Sequence, residues 1–210
     1  MKTLFIETKN KESIGLFWKI KKQLNKLPKK IFLAYSIQYK PLALKIKEYL
    51  KKQNKEIKGF KQVLGCSELK SKFPMLLVSS GNFHALNLVL QNNKVFLLDK
   101  EKIKKIDNKE INKIKLKRKS ALLKFLSAET IGILISCKPG QENLSEAREL
   151  KRKLEKKGKR PRIFLADNIT PLDLENFNID SWVNTACPGL SMDSNKIINI
   201  KELKKKNYFA

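Results

Sequence analysis

The sequence has few of the residues that mark the commonest catalytic and structural sites. Its 210 residues include three cysteines, one histidine, eight glycines and seven prolines. The cysteines, at positions 66, 137 and 187, form no close pair, which excludes a secreted disulfide framework and a Cys-x-x-Cys zinc finger. No glycine-rich phosphate loop, Ser/His/Asp set or pair of catalytic carboxylates is evident. This cysteine usage predicts a reducing compartment, the cytoplasm.

Long apolar runs and processing signals are also missing. No stretch approaches the ~20 apolar residues that span a bilayer. The start, Met1–Glu7, lacks the apolar core and small-residue cleavage site of a signal peptide. With 41% hydrophobic residues and no low-complexity linker, we expect one large or two small globular domains and no membrane contact.

Acidic residues are the third scarcity. Twenty Asp and Glu stand against 46 Lys and Arg, which gives a formal net charge of +26. Such a charge suits an acidic partner such as RNA, DNA or an acidic protein, or it is simply a solvated lysine surface. Because lysine lacks the bidentate phosphate geometry of arginine, and no aromatic-plus-basic motif stands out, the sequence favours the solvated surface.

Strand-length apolar runs alternate with segments of helical spacing in both halves, which predicts parallel sheets. The first half has strands at 31–36, 57–64, 75–79 and 95–98 and helices at 42–52 and 83–91, with a possible edge strand at 1–6. The second has strands at 131–136, 162–166, 182–184 and 197–200 and a helix at 143–157, and Thr170 is a predicted helix N-cap. A lysine-rich helical connector covers 103–127. We therefore predict an α/β fold of two small homologous parallel-sheet units with flanking helices, 1–127 and 128–210.

Each cysteine follows one of these predicted strands. Cys66 ends Val63-Leu64-Gly65-Cys66, Cys137 precedes Lys138-Pro139-Gly140-Gln141, and Cys187 lies in Asn184-Thr185-Ala186-Cys187-Pro188. Open α/β sheets bind ligands beyond the carboxyl ends of their strands, so we expect all three thiols at that edge. For any single cysteine, the alternative is a small buried hydrophobic residue. Three thiolates would leave one corner of a four-iron, four-sulfur (4Fe-4S) cluster open to a substrate.

Two further strings have both a functional and a structural interpretation. Lys138–Gln141 lies between a strand and a helix, where backbone N–H groups and a lysine hold a carboxylate or phosphate, or form an ordinary turn. Gly81-Asn82-Phe83-His84 has the corresponding place in the first half and contains the one histidine. His84 is a candidate ligand or acid/base, and a capping or packing role is favoured.

Taken in order, these strings resemble the archaeal 2-(3-amino-3-carboxypropyl)histidine synthase family of diphthamide synthesis. The resemblance covers residues 30–200. Its strings are 62–66, 81–86 and 95–99, similar to the family's second domain, and 131–133, 138–141, 167–171 and 183–188, similar to its third. It implies three homologous α/β domains, each of which gives one cysteine to a 4Fe-4S cluster. Cys66 and Cys187 match these ligands residue by residue.

Some positions depart from the family pattern. Cys137 stands where the family usually has a small hydroxyl residue, Gly189 replaces an arginine and Ala85 replaces a proline. The family's first domain, with its cysteine, has no counterpart. Three alternatives follow: another polypeptide or a second copy supplies that domain, Cys137 is the third ligand, or the chain is inactive.

The resemblance also implies a reaction. The 3-amino-3-carboxypropyl group of S-adenosylmethionine is transferred to a histidine of translation elongation factor 2 by iron-sulfur radical chemistry, the first step of diphthamide biosynthesis. Cys66 and Cys187, with Cys137 as a third candidate, would hold the metal, and Lys138, Pro139, Gly140 and Gln141 would help to bind the cosubstrate.

Because a fold does not by itself grant a function, a non-catalytic basic module that contacts RNA or the ribosome is the alternative.

Overall fold

The chain divides into two compact units, Met1–Ile111 and Asn112–Ala210. The computed structural model describes residues 10, 15–80, 83–92, 94–170 and 172–209, so the proposed edge strand at 1–6 lies outside the described residues. The division falls inside a helix, whereas the sequence analysis places the boundary at Ser127, the last residue of that helix. Within the described ranges, no helix is both long enough and apolar enough to cross a membrane.

Unit 1 is a mixed five-stranded sheet with helices on both faces. Its elements are α1 (Leu16–Asn25), β1 (Lys30–Tyr35), a 3₁₀ turn (Ile37–Tyr39), α2 (Lys40–Lys52), β2 (Glu56–Gln62), β3 (Met75–Val78), α3 (Phe83–Val89), β4 (Val95–Asp99) and β5 (Lys102–Lys105). The strand order is β2-β1-β3-β4-β5, in which the first four strands are parallel and β5 is antiparallel to β4.

Unit 2 repeats the parallel part of this plan. Its elements are α4 (Asn108–Ser127, which begins in unit 1), β6 (Thr130–Ser136), α5 (Leu144–Lys156), β7 (Arg160–Ala166), a 3₁₀ turn (Asp173–Asn176), β8 (Ser181–Asn184), α6 (Leu190–Asp193), β9 (Ile197–Asn199) and α7 (Ile200–Lys205). The order β7-β6-β8-β9 is parallel throughout. It matches β2-β1-β3-β4 strand for strand, so the predicted α/β class with two similar parallel-sheet units is confirmed.

Burial on both faces explains the continuous apolar strands. All four residues of β3 are buried, because α1 and α2 pack on one face of the sheet and α3 packs on the other. Helix α2 presents Leu42, Ile46 and Leu50 to the sheet, and each is fully buried. This spacing of four residues places the three side chains in one stripe along the helix.

The predicted connector at 103–127 is wrong at its start. Residues Lys102–Lys105 form strand β5, and the helix begins only at Asn108. A two-residue hairpin joins β4 to β5, with Asp99 opposite Lys102 and Lys100 in the left-handed region at φ 52°. Ile103 is the single apolar residue of β5, so this strand lacks the alternation of apolar and polar residues by which strands are recognised in a sequence. Helices α1, α6 and α7 were likewise not predicted.

Thr170 is not the N-cap residue that the sequence predicts. The 3₁₀ turn Asp173–Asn176 has Leu172 at its N-cap, without a side-chain capping bond. Thr170 is instead bonded to Asp173: the backbone N–H of Asp173 donates to Thr170 Oγ1 (3.3 Å), and the N–H of Thr170 donates to Asp173 Oδ2 (3.1 Å). Pro171, which the sequence places at the first helical position, lies outside the described residues.

The core of unit 2 depends on a close contact between β6 and β8. Gly132 pairs with Trp182 across the two strands, and the indole covers the glycine. A Cβ atom built on Gly132 would lie 2.1 Å from Trp182 Cε3, far inside van der Waals contact. Trp182 also packs edge-on against Phe164, with ring centroids 4.8 Å apart, so it has little room to shift.

We therefore expect Gly132→Ala to lower the free energy of unfolding by about 1–3 kcal/mol, the usual penalty of overpacking. Urea unfolding followed by far-ultraviolet circular dichroism measures the change. The control is Gly132→Ala combined with Trp182→Phe, which removes the fused ring that the new methyl group meets. The double variant should lose less stability than the sum of the single ones, and strictly additive losses would contradict the steric explanation.

Candidate functional site

All three cysteines lie beyond the carboxyl ends of parallel strands, as the sequence predicts. Cys66 follows β2, Cys137 follows β6 directly, and Cys187 follows β8. Cys66 and Cys137 are exposed and Cys187 is half-buried, and all three thiols are free. Cys66 and Cys137 are therefore not core residues, and their sulfur atoms are accessible to a ligand.

The loop that carries Cys66 is a closed β-turn. The backbone N–H of Ser67 donates to the carbonyl of Leu64 (3.0 Å), and the N–H of Leu64 donates to Ser67 Oγ (2.8 Å). These two bonds place Cys66 at the third position of the turn. Leu64 is itself 58% exposed, so the tip of this loop projects from the body of unit 1.

Polar side chains at the end of α3 hold this loop against the sheet. Asn87 Nδ2 donates to the carbonyls of Gly65 (2.9 Å) and Ser67 (3.3 Å), on either side of Cys66. Gln91 Nε2 donates to the same Ser67 carbonyl (3.3 Å), and its Oε1 accepts from the N–H of Leu69 (3.0 Å). The backbone around Cys66 is thus fixed by Asn87 on α3 and by Gln91 just beyond the end of that helix. The sequence analysis does not identify these two residues, because nothing in Val63-Leu64-Gly65-Cys66 indicates which side chains support it.

The loop that carries Cys187 is held by Asn184, the last residue of β8. Asn184 Oδ1 accepts from the N–H of Ala186 (2.9 Å), an Asx turn, while its Nδ2 donates to the carbonyl of Cys187 (2.8 Å). Asn184 is fully enclosed, at 1% exposure. An asparagine at a strand end is a turn signal that the sequence does offer.

A second buried asparagine extends this network. Asn184 Nδ2 also donates to Asn199 Oδ1 (2.7 Å) on the neighbouring strand β9, and Asn199 Nδ2 donates to Ser191 Oγ (2.6 Å) and Glu202 Oε1 (3.2 Å). Ser191 Oγ in turn donates to the carbonyl of Pro188 (2.9 Å). The cysteine loop is therefore tied to β9, α6 and α7 at once.

Lys138–Gln141 forms a hydrogen-bonded turn with proline second and glycine third. The N–H of Gln141 donates to the carbonyl of Lys138 (3.0 Å), and Gly140 has φ +75°, as a type II turn requires. Pro139 has no N–H, and the N–H of Lys138 donates to Ser136 Oγ (3.2 Å). Helix α5 starts three residues later, at Leu144. The N–H groups of Lys138 and Gln141 are therefore committed within the turn.

Cys137, this turn and Cys187 share one edge of the second sheet. The strand order reverses between β6 and β8, which is the place where open α/β sheets bind ligands. Asn143 Nδ2, between the turn and α5, donates to the carbonyl of Thr185 (3.0 Å) in the Cys187 loop. Unit 2 thus brings two thiols and the lysine turn to its switch point.

The two family-matching cysteines do not have equivalent places in the repeated plan. Cys66 follows β2, the outer strand of its sheet, whereas Cys187 follows β8, which corresponds to β3. Within the described ranges, no three His, Cys, Asp or Glu side chains group closely enough to hold a metal ion.

His84 lies in the first turn of α3 and is half-buried. Burial lowers its pKa below the ordinary value of 6.5, so the imidazole is neutral at pH 7. This placement agrees with the favoured packing role. Gly81 and Asn82, which precede it in the candidate string, lie outside the described residues.

Loss of the Asn184 amide should loosen the Cys187 loop. We expect Asn184→Ala to lower the free energy of unfolding by about 1–3 kcal/mol, because buried loop groups lose their partner. We also expect faster alkylation of Cys187 by iodoacetamide and faster hydrogen exchange at Ala186. Asn168→Ala, at an exposed loop position, is the matched control and should change none of these. Unchanged exchange at Ala186 in Asn184→Ala would show that the amide does not hold the loop.

Comparisons with known proteins agree with this architecture. A family model described as "Putative diphthamide synthesis protein" matches residues 1–204. The chain is 27% identical over 195 residues to 2-(3-amino-3-carboxypropyl)histidine synthase of Pyrococcus horikoshii and 33% identical over 171 residues to that of Methanocaldococcus jannaschii. The alignments cover 87% and 79% of this chain, but 55% and 46% of the relatives. The chain spans about half the length of the curated relatives it matches.

Solved structures give the same answer for the fold. The crystal structure of Dph2 from Pyrococcus horikoshii matches with a TM-score of 0.76 and 25% identity, over 92% of this chain and 61% of that chain. The crystal structure of the same protein with a 4Fe-4S cluster matches equally well. The sequence resemblance is thereby confirmed: this chain belongs to the family of diphthamide synthesis proteins.

Proposed function

We propose that this chain is part of a 2-(3-amino-3-carboxypropyl)histidine synthase in which Cys66 and Cys187 ligate a 4Fe-4S cluster. One observation carries the proposal. Cys66 is exposed and Cys187 is half-buried, each in a loop at the carboxyl end of a parallel strand, and asparagine amides fix the backbone of each loop. A structural relative whose crystal structure contains a 4Fe-4S cluster supports it.

The donors fit such a cluster. Thiolates are the usual ligands of 4Fe-4S clusters, and a loop fixed by the protein holds a sulfur at the place where iron binds. When bound, the cluster would supply an electron to the sulfonium of S-adenosylmethionine, so that a carbon–sulfur bond breaks and the 3-amino-3-carboxypropyl group becomes available. We propose that the acceptor is a histidine of translation elongation factor 2. Free thiols of this kind persist in a reducing cytoplasm.

In this proposal the turn at Lys138–Gln141 binds the cosubstrate through its side chains. The ammonium of Lys138 is exposed and suits the carboxylate of the amino-acid part of S-adenosylmethionine, while Gln141 offers an amide. Pro139 and Gly140 set the shape of the turn. Two backbone N–H groups of the turn, those of Lys138 and Gln141, already have partners, so the side chains are the main proposed contacts.

The third ligand is proposed to come from outside the chain. This sequence contains two family-matching cysteines, so we propose that a ligand from a partner chain or from a second copy of this chain completes the cluster. Cys137 is the internal alternative, since it follows β6, the direct neighbour of β8. Efficient modification of elongation factor 2 by an isolated monomer would contradict the need for a partner, unless Cys137 is the third ligand.

Replacement of either proposed ligand should abolish the metal centre and keep the fold. After anaerobic reconstitution with any partner chain present, we expect Cys66→Ala and Cys187→Ala to retain little iron and sulfide and to lose the brown colour. Ser145→Ala, on the exposed side of α5, is the control and should bind iron as the parent does. Circular dichroism checks that each variant is folded. Full iron content in both cysteine variants would overturn the proposal.

Cys137 is expected to be dispensable for the cluster. The family usually has a small hydroxyl residue at its position, and serine restores one of similar size. Cys137→Ser should therefore keep the parent's iron content and cluster absorption, whereas Cys187→Ser should lose them. Equal loss in both variants would instead make Cys137 the third ligand.

A further inference from the structure

The outer surface of unit 1 carries an exposed tryptophan. Trp18, on α1, is 67% exposed, whereas the second tryptophan of the chain, Trp182, is 1% exposed in the core of unit 2. Phe17 is buried beside Trp18 and packs edge-on against it, with ring centroids 5.5 Å apart. The indole therefore packs against a side chain that the core holds in place. Single exposed apolar side chains are common on protein surfaces, so the surroundings of this indole decide whether it belongs to a binding surface.

Lysines surround this indole. Lys21 Nζ lies 5.5 Å from the Trp18 ring centroid, and Lys45 Nζ, from α2, lies 5.4 Å from it. Lys21 also lies 5.5 Å from the Tyr49 ring. The ten residues of α1 include no acidic side chain, and the thirteen of α2 include only Glu48. Lys19 of α1 is paired with Glu101 (2.5 Å), and the two helices still carry more lysine than acid. The surface therefore combines an aromatic plane with an excess of positive charge.

We propose that Trp18, Lys21 and Lys45 form a binding site for single-stranded nucleic acid. A base would stack on the indole, and the two ammonium groups would bind the phosphates on either side of it. Both elements are the general means by which proteins bind unpaired strands. This site goes beyond the proposed synthase function and does not depend on it. Its residues lie on α1 and α2, which cover a face of the first sheet, and not in the loop that carries Cys66.

A base can take the place of the flexible ammonium groups on the indole, because stacking on an aromatic side chain is itself favourable. The displaced ammonium groups then reach phosphate oxygens, so both elements of the surface contribute to binding. An acidic polypeptide would use the same lysines but would leave the indole without a partner, so nucleic acid is the better fit.

Intrinsic fluorescence tests the site directly, because the two tryptophans differ in exposure. We expect a ten-nucleotide oligo(U) or oligo(dT) to quench the emission of Trp18, with little change from Trp182. Trp18→Ala should weaken binding, measured by anisotropy of a labelled oligonucleotide, by roughly tenfold. Trp18→Phe should lose the quenching and retain more affinity than Trp18→Ala, because phenylalanine still stacks. A preference for oligo(U) over oligo(dT) would identify RNA as the form bound.

The charge contribution needs a matched control, since a chain of +26 binds any polyanion weakly. The variant pair Lys21→Gln/Lys45→Gln should reduce the slope of log affinity against log salt by about 1.4, as expected for two lost single-strand phosphate contacts. Lys102→Gln/Lys105→Gln removes the same charge from β5 and should leave the Trp18 quenching unchanged. Equal effects of the two pairs, equally tight binding of a duplex, or polyglutamate binding that depends equally on Trp18 would overturn the proposal. None of these outcomes bears on iron binding at Cys66 or Cys187.

Discussion

A backbone that leaves a buried parallel strand loses its sheet partners and must find new ones for its peptide groups. In this protein, asparagine amides supply those partners at both cysteine loops. Asn87 bonds the carbonyls on either side of Cys66, and Asn184 bonds the carbonyl of Cys187 itself. The shape of each loop is thus set by the protein, and the accessible thiols depend on it.

The two units share a strand order, but their cysteines do not occupy equivalent positions in it. Strand order is the same in both units, yet Cys66 follows an outer strand and Cys187 follows a strand at the switch point. The polar support also differs, since Asn87 lies on a helix and Asn184 at the end of a strand. What the two loops share is that each follows the carboxyl end of a parallel strand in its own sheet, and that a side-chain amide donates to its carbonyls. The carboxyl ends of parallel strands are where open α/β sheets bind ligands.

The parts of this structure that could be read from the sequence are those with local signals. The apolar run Met75–Val78 predicts a buried strand, and Pro139 followed by Gly140 is the composition of a type II turn. Strand β5 escaped detection because only Ile103 among its residues is apolar. The pairing of Trp18 with Lys45 could not be predicted, since packing of α1 on α2 brings together residues that are distant in sequence.

The outer strands have a consequence for how copies of this chain meet. Strand β5 ends its sheet with Lys102 and Lys105 exposed, and β7 ends the second sheet with Arg160 and Arg162 exposed. An unpaired strand edge is a template for aggregation, and cations along it repel the same edge of a second molecule. Growth of either sheet into a fibril is therefore opposed at these edges. A strand that adds to either sheet would have to pair with the opposite outer strand, β2 or β9.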